Sequence, residues 1–518
     1  MNTGRGEPLA RSSWFRATTK RALIPIRWLD QFVAGQLQWF AACTAVLVLQ
    51  VALILRHQPW LDEVQSLEIA VQAPDLWTLL QWLRYEGHPP LWYLFLRALA
   101  HFMDPMLALK VAVLGCALVL QPILLFASPF TRAERLLIAT SEFVLFEYLT
   151  VSRSLSLGAA LLVVSMFLWR RRSFWIAVAL LPMCDFLFGV LSAAFVAMRW
   201  REGSLWWPGM VLWFAFALAA AWTVVPAPDI QPALQSTHPL LELGYWCLAM
   251  SDLAFPFQGM TWPRWNAPPN LAVAIWAWLV FLKLAWLQTA EDTLYRWLLT
   301  GFVALTLVFA LFIYRLSPRH LMLVALFFIL LVWRLKEAGK LPRAGFQIWL
   351  FVASLCGLAT AAINLVVPFD TSTQAAATIR SLGLQRKHWI VFPDDYGSGI
   401  SALDHMYFER VELHCMQSFV RWNYRHHISS RGALEAYLSS EVDKHGKLYL
   451  LTSLDLNDLN SVILAPIAHI PAGYDGRSYH LYVVGPHAAE RPLALHPCVR
   501  DQRPLSRLGT ANWALNAD

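Results

Sequence analysis

The stretch Leu61-Asp62-Glu63-Val64-Gln65-Ser66 follows an apolar run, Leu37 to Leu55, and precedes Arg84-Tyr85-Glu86-Gly87-His88-Pro89-Pro90-Leu91. The apolar run decides the fold class, because about 19 residues at ~1.5 Å each cross the ~30 Å hydrocarbon core of a bilayer. Four potential proton acceptors or metal ligands, Asp62, Glu63, Glu86 and His88, therefore stand just outside a membrane. The rest of the chain is almost entirely compatible with hydrocarbon, so chemistry is expected here.

Of 518 residues, 58% are hydrophobic and 14% charged, against roughly 25% charged in soluble domains. This is the composition of a polytopic α-helical membrane protein. The 26 Trp and 30 Phe suit spans and interfacial belts. The formal charge of +7 does not indicate nucleic-acid binding, because the basic residues cluster in short connectors between apolar runs, as orientation signals do. Cys43, Cys116, Cys184 and Cys356 lie inside apolar runs and no C-x-x-C spacing occurs, so no zinc site is implied. Only Cys415 and Cys498 are placed to pair outside the membrane.

Residues 1–36 carry Arg5, Arg11, Arg16, Lys20, Arg21 and Arg27 with no cleavage pattern after the next apolar run, which predicts an uncleaved anchor and a cytoplasmic N-terminus. Asp75 to Tyr85 reads as a helix lying in the outer interface. Pro89 to Phe102, about 14 residues, is marginal as a span. Kept in the outer leaflet, it leaves Arg132/Arg135, Arg170 to Arg172, Arg199/Arg201 and Arg334 to Arg343 all inside.

Spans are then expected near 37–55, 106–127, 135–150, 154–169, 173–184, 185–198, 205–225, 271–289, 297–314, 320–333 and 345–367. That is a module over 37–367 with about 11 spans, an outer catalytic loop at 56–105 and a Pro- and Trp-rich outer loop at 226–269 that includes an interfacial helix, Leu240 to Phe255. The hairpin between Arg172 and Arg199 allows two helices of only about 18 Å each. Its tip, with Pro182, Cys184 and Asp185, falls at membrane depth, where irregular backbone must be buried in protein or line a wet cavity. From Pro368 to Asp518 the sequence reads as a small α/β domain outside the membrane, with strand-like runs His388 to Phe392 and Lys447 to Thr452 and a helix Arg431 to Lys444.

Each candidate has a plain alternative. Asp62-Glu63 could be a solvated acidic cap, and Glu86-Gly87-His88-Pro89-Pro90 a rigid turn before a helix. Arg153, Arg315, Arg319 and His320 stand at outer ends of spans, where cations also snorkel to lipid phosphates. Asp185 is a costly intramembrane carboxylate or a helix cap. Glu86 and His88 are candidate ligands for a divalent cation, although two ligands alone do not make a site. Acids on one loop facing cations at span ends suit displacement of a lipid-linked phosphate from a sugar carbon. A carboxylate takes the acceptor's proton, and arginine or a metal receives the phosphate.

These residues resemble a known family. Asp62-Glu63 after the first span, Tyr85 to Tyr93, Ser152 to Leu157 and Pro318-Arg319-His320 are similar to the GT-C type glycosyltransferases, most nearly the bacterial branch akin to protein O-mannosyltransferases and the lipid A aminoarabinose transferase. The resemblance covers roughly residues 40 to 335 and more faintly the C-terminal domain. It implies inverting transfer from a polyprenyl-phosphate sugar to a glycan, glycolipid or protein acceptor, outside a bacterial inner membrane. It further implies that Asp62 is the catalytic carboxylate supported by Glu63, with Glu86, His88, Arg153, Asp185, Arg319 and His320 binding substrate. One departure is Arg153-Ser154-Leu155 where many members have Arg-x-Tyr, which implies altered donor recognition. Two other classes stay open: a lipid-linked-sugar flippase, and a membrane-anchored assembly protein built on a degenerate enzyme core.

Overall fold

The computed structural model describes residues 23–228, 230, 239–256, 271–411, 415–422, 428, 430–457, 463–491 and 498. The basic tail before residue 23, parts of the 226–269 loop and the last 20 residues, 499–518, lie outside them. The described chain is mostly helical, with one small sheet near its C-terminal end. The helices are α1 (Ile24–Phe32), α2 (Gln36–Arg56), α3 (Leu61–Gln72), α4 (Leu76–Glu86), α5 (Leu91–Ala100), α6 (Pro105–Pro122), α7 (Arg132–Ala139), α8 (Ser154–Phe167), α9 (Phe174–Leu180) and α10 (Phe186–Arg201). They continue with α11 (Trp207–Thr223), α12 (Pro239–Ser251), α13 (Leu271–Gln288), α14 (Thr293–Phe312), α15 (Pro318–Glu337), α16 (Ala344–Val366), α17 (Ser372–Ser381), α18 (Ser398–Asp404) and α19 (Arg431–His445).

Among the described residues five helical segments are long and apolar enough to cross a membrane: Gln36–Arg56, Pro105–Ala127, Thr293–Phe312, Pro318–Glu337 and Ala344–Val366. This is a membrane protein. α15 is its axis: 89% of its most apolar window is buried in protein, against 28% for α14, so it is apolar all round because it meets protein on every side. The helix carries Arg319 at one end and Lys336 at the other, about 26 Å apart at ~1.5 Å per residue.

At the Lys336 end the connectors are tied by ion pairs, Arg334 with Glu202 at 2.8 Å, Lys336 with Glu134 at 2.5 Å and Arg201 with Asp292 at 2.6 Å. The basic connectors named from the sequence thus gather at one end of the bundle, and the Asp62 loop lies at the other.

Several expected spans are shorter or broken. The run 135–150 divides because Thr140 turns its hydroxyl back to the Leu136 carbonyl (2.7 Å) and to Ser354 (2.7 Å), and the chain resumes as a π-helical turn, Phe143–Tyr148. Gly357 of α16 packs on this break so closely that a Cβ would collide with the Thr140 carbonyl. α5 has ten residues, about 15 Å of rise, and is too short to cross. α9 has seven residues and ends in a 3-10 turn, Leu181–Met183.

The sheet contains β1 (Trp389–Phe392), β2 (Phe408–Arg410), β3 (Cys415–Gln417), β4 (Leu448–Thr452), β5 (Leu464–Ile470) and β6 (Tyr479–Val484), in the order β3-β2-β1-β4-β6-β5. β1 runs parallel to β2 and β4, and the outer pairings are antiparallel. Side chains alternate between two cores: Trp389, Val391 and Leu451 pack with Ala376 and Ile379 of α17, while Ile390, Leu448 and Leu450 pack with Leu434 and Leu438 of α19. Both faces are covered, as parallel strands require. Cys415 and Cys498 form a disulfide at the β3 edge.

The domain docks on α3. The Gln65 amide donates to the Val420 carbonyl (2.6 Å) and accepts from the Val420 N–H (2.9 Å). Two turns on, Gln72 bonds Ser418 at 2.7 Å. Trp60, just before α3, stacks with the Arg477 guanidinium 5.6 Å from its ring, and Arg477 is paired with Asp395 at 2.9 Å.

Candidate functional site

α3 starts because Glu63 accepts a hydrogen bond from the Trp60 N–H (3.1 Å), satisfying a donor that a helix start leaves open. This turns the two adjacent acids to different work. Glu63 is fully buried, holding His57 Nε2 at 2.8 Å and the Ser152 N–H at 2.6 Å, so it locks α3 to the end of α2 and to the turn before α8. The Asp62 side chain is 18% exposed and points to two cations.

Arg153 immediately precedes α8, and its Nη1 lies 2.6 Å from Asp62 Oδ2. Arg319, the second residue of α15, donates Nη2 to the same oxygen. Its guanidinium also lies over the Trp60 ring at 5.0 Å, and its carbonyl accepts from the Tyr148 hydroxyl at 3.1 Å. Arg153 Nη2 is 3.5 Å from His88 Nε2, and His88 Nδ1 is 3.2 Å from Asp185 Oδ2. The geometry fits an imidazole that donates from Nδ1 to Asp185 and accepts from Arg153 at Nε2. Burial opposes charge on this ring, but the Asp185 carboxylate outweighs it and holds the His88 pKa above its ordinary value. Asp185 also caps α10 through the Leu187 N–H at 2.9 Å, so both readings of it are met.

Asp62, His88, Arg153, Asp185 and Arg319 therefore form one connected cluster. His320 is buried next to Arg319 and bonds Ser317 Oγ at 2.7 Å. Glu86 belongs to a neighbouring polar group: Gln65 donates to it at 2.9 Å and Tyr93 bonds it as well. Burial pushes its carboxyl up to about 7, against the pull of these hydrogen bonds and of His88. Arg315 is taken by Glu242 in a two-pronged pair at 2.6 and 3.0 Å.

Of the two candidate cation ligands, His88 engages both ring nitrogens with Asp185 and Arg153, and Glu86 bonds Gln65 and Tyr93. Among the described residues no group of three or more His, Cys, Asp or Glu side chains is arranged to hold a metal ion.

Sequence reasoning missed the His57–Glu63 strut, Trp60 between two arginines, and Gln65 with Gln72. The two glutamines are seven apart in α3, a spacing that puts both on one helix face and was the available signal. No protein-family model, curated protein or solved structure matches this chain.

Proposed function

We propose that the chain is an inverting glycosyltransferase that moves a sugar from a polyprenyl-phosphate donor to an acceptor hydroxyl at the Asp62 end of the membrane module. The observation that carries this reading is the partly exposed Asp62 carboxylate held by two guanidiniums, Arg153 from the residue preceding α8 and Arg319 from the first turn of α15. Two converging arginines suit a phosphate, which accepts several planar, charge-assisted hydrogen bonds.

In the proposed step the donor phosphate displaces Asp62 from the arginines. Freed of two cations, the carboxylate becomes a better base and accepts the acceptor hydroxyl's proton. The hydroxyl oxygen bonds to the anomeric carbon from the face opposite the phosphate. The bond from that carbon to the phosphate oxygen breaks, its electron pair leaves with the phosphate, and Arg153 and Arg319 stabilise the released charge. Configuration at the carbon inverts. His88, fixed by Asp185, orients Arg153, and Glu63 positions Asp62 by fixing the first turn of α3.

In this reading the shorter helices complete a module of about 11 crossings, with the active end outside a bacterial inner membrane. The test is to incubate purified protein with polyprenyl-phosphate sugars and membrane-extract acceptors and to assay lipid phosphate. Release with transfer of the sugar supports the reading. Donor binding without release across the panel favours a flippase or binding protein.

A further inference from the structure

Trp60 carries two guanidiniums from separate parts of the chain: Arg319 of α15 lies over its ring at 5.0 Å and Arg477 of the C-terminal domain at 5.6 Å. We propose that Arg477 is a positioning residue, which holds the Trp60 indole and through it sets the Arg319 guanidinium for a lipid-linked phosphate. This role deepens the glycosyltransferase reading and rests on it for the identity of the anion.

Arg477 is firmly anchored. Its Nη2 lies 2.9 Å from Asp395 Oδ2, its backbone N–H donates to Asp475 Oδ1 at 2.9 Å, and its guanidinium also lies over the Tyr396 ring at 4.9 Å. Its charge is met by Asp395, so it serves as a support for an aromatic face rather than as a ligand for a second anion. Trp60 is buried, and its backbone N–H donates to Glu63 at 3.1 Å. Phe369, at the start of the C-terminal domain, meets the indole at a steep angle, 6.5 Å centre to centre. The main chain of Trp60 is thus tied to α3, and its ring is packed by the C-terminal domain.

The support matters at Arg319. The Tyr148 hydroxyl donates to the Arg319 carbonyl at 3.1 Å, which fixes the backbone and leaves the long side chain to be placed by what its guanidinium touches. Arg319 donates Nη2 to Asp62 while lying over Trp60, so a ring and an oxyanion hold it together. In the proposed transfer a phosphate takes the place of Asp62, and the indole stays with the guanidinium while one anion exchanges for another. Arg477 makes no contact with the phosphate in this scheme. It limits the side-chain freedom that Arg319 would otherwise lose on binding, which makes phosphate affinity depend on a domain that touches no phosphate.

The test is isothermal titration of the full-length protein in nanodiscs with a sugar-free polyprenyl phosphate, in a double-mutant cycle of Arg477→Gln and Arg319→Gln. Arg477→Gln is expected to weaken binding by about 3- to 30-fold, the worth of a desolvated cation–π contact. Arg477→Lys, which keeps a cation for the ring, recovers most of that loss. In the Arg319→Gln background Arg477→Gln costs nothing further, because the side chain it acts through is gone. Equal losses in both backgrounds overturn the inference and make Arg477 a distant charge or a general support of the fold. Wild-type affinity in Arg477→Gln overturns it as well. If Arg477→Gln does not fold, Asp395→Asn, which loosens the guanidinium at unchanged size, carries the same cycle under the same criteria. Coupled binding of lipid phosphate without its release from any sugar donor removes the transfer reading and leaves the positioning role. Release without coupling does the reverse, and a wild type that binds no lipid phosphate overturns both.

Discussion

Arg153 Nη1 lies 2.6 Å from Asp62 Oδ2, a contact between the residue preceding α8 and the first turn of α3. Arg319 reaches the same oxygen from α15. In the proposed reaction the donor phosphate takes the place of Asp62 on both guanidiniums.

Arg153→Gln and Arg319→Gln are therefore expected to weaken binding of a polyprenyl phosphate by about 10- to 100-fold each, the worth of one charge-assisted hydrogen bond. Because they share one partner, the double variant loses less than the product of the singles. Isothermal titration with the sugar-free lipid phosphate checks this. Unchanged affinity in both singles contradicts it.

Glu63→Ala is expected to act on stability. Its carboxylate is fully buried and braces His57, Trp60 and Ser152, and removing one partner of such a buried pair costs about 3–5 kcal/mol. Asp62→Asn keeps the side chain's size but removes the charge that Arg153 and Arg319 share, so its loss is expected to be smaller than that of Glu63→Ala. Thermal unfolding in detergent separates the two, and equal losses in both variants refute the division of labour.

Glu86 predicts a pH dependence with a defined sign. Its carboxyl is held up to about 7 by burial, against ~4.3 in an unfolded chain. The folded state keeps a proton that the unfolded state has lost, so this group's stabilisation is complete below pH ~4.3 and declines as pH rises toward about 7. Glu86→Gln should flatten that part of the melting-temperature profile. His88 and Asp185 titrate nearby and remain in the variant, so the difference between the two profiles is the measurement. An unchanged slope between pH 5 and 7 counts against the assignment.

The Cys415–Cys498 disulfide closes a separation of 83 residues at the first residue of β3. Closing a loop of that length is worth on the order of 4 kcal/mol in the chain-entropy model. Cys415→Ser with Cys498→Ser should lower the melting temperature of the C-terminal domain, and an unchanged melting temperature would contradict this.

The sequence showed where charge interrupts hydrocarbon, and so pointed to Asp62, His88, Arg153, Asp185 and Arg319 before any contact was visible. It also located the apolar runs that became α2, α6, α15 and α16. Helix geometry alone makes adjacent Asp62 and Glu63 diverge; what the sequence could not show is which of them turns inward, because that depends on what packs there. The break at Thr140 was hidden for a similar reason: its hydroxyl competes for backbone only because Ser354 and Gly357 of α16 receive the kink. β2 and β3 have three residues each, too few for an alternating pattern to register, so the docking edge of the domain was not legible.

The most direct measurement compares wild type and Asp62→Asn for both binding of a polyprenyl-phosphate sugar and release of its phosphate in the presence of acceptor extract. The variant should still bind donor while release falls by about 10² to 10⁴, the usual worth of a positioned general base. Release at the wild-type rate in a variant that binds donor would contradict it, and Asp62 would then be only an ion-pair partner for two arginines.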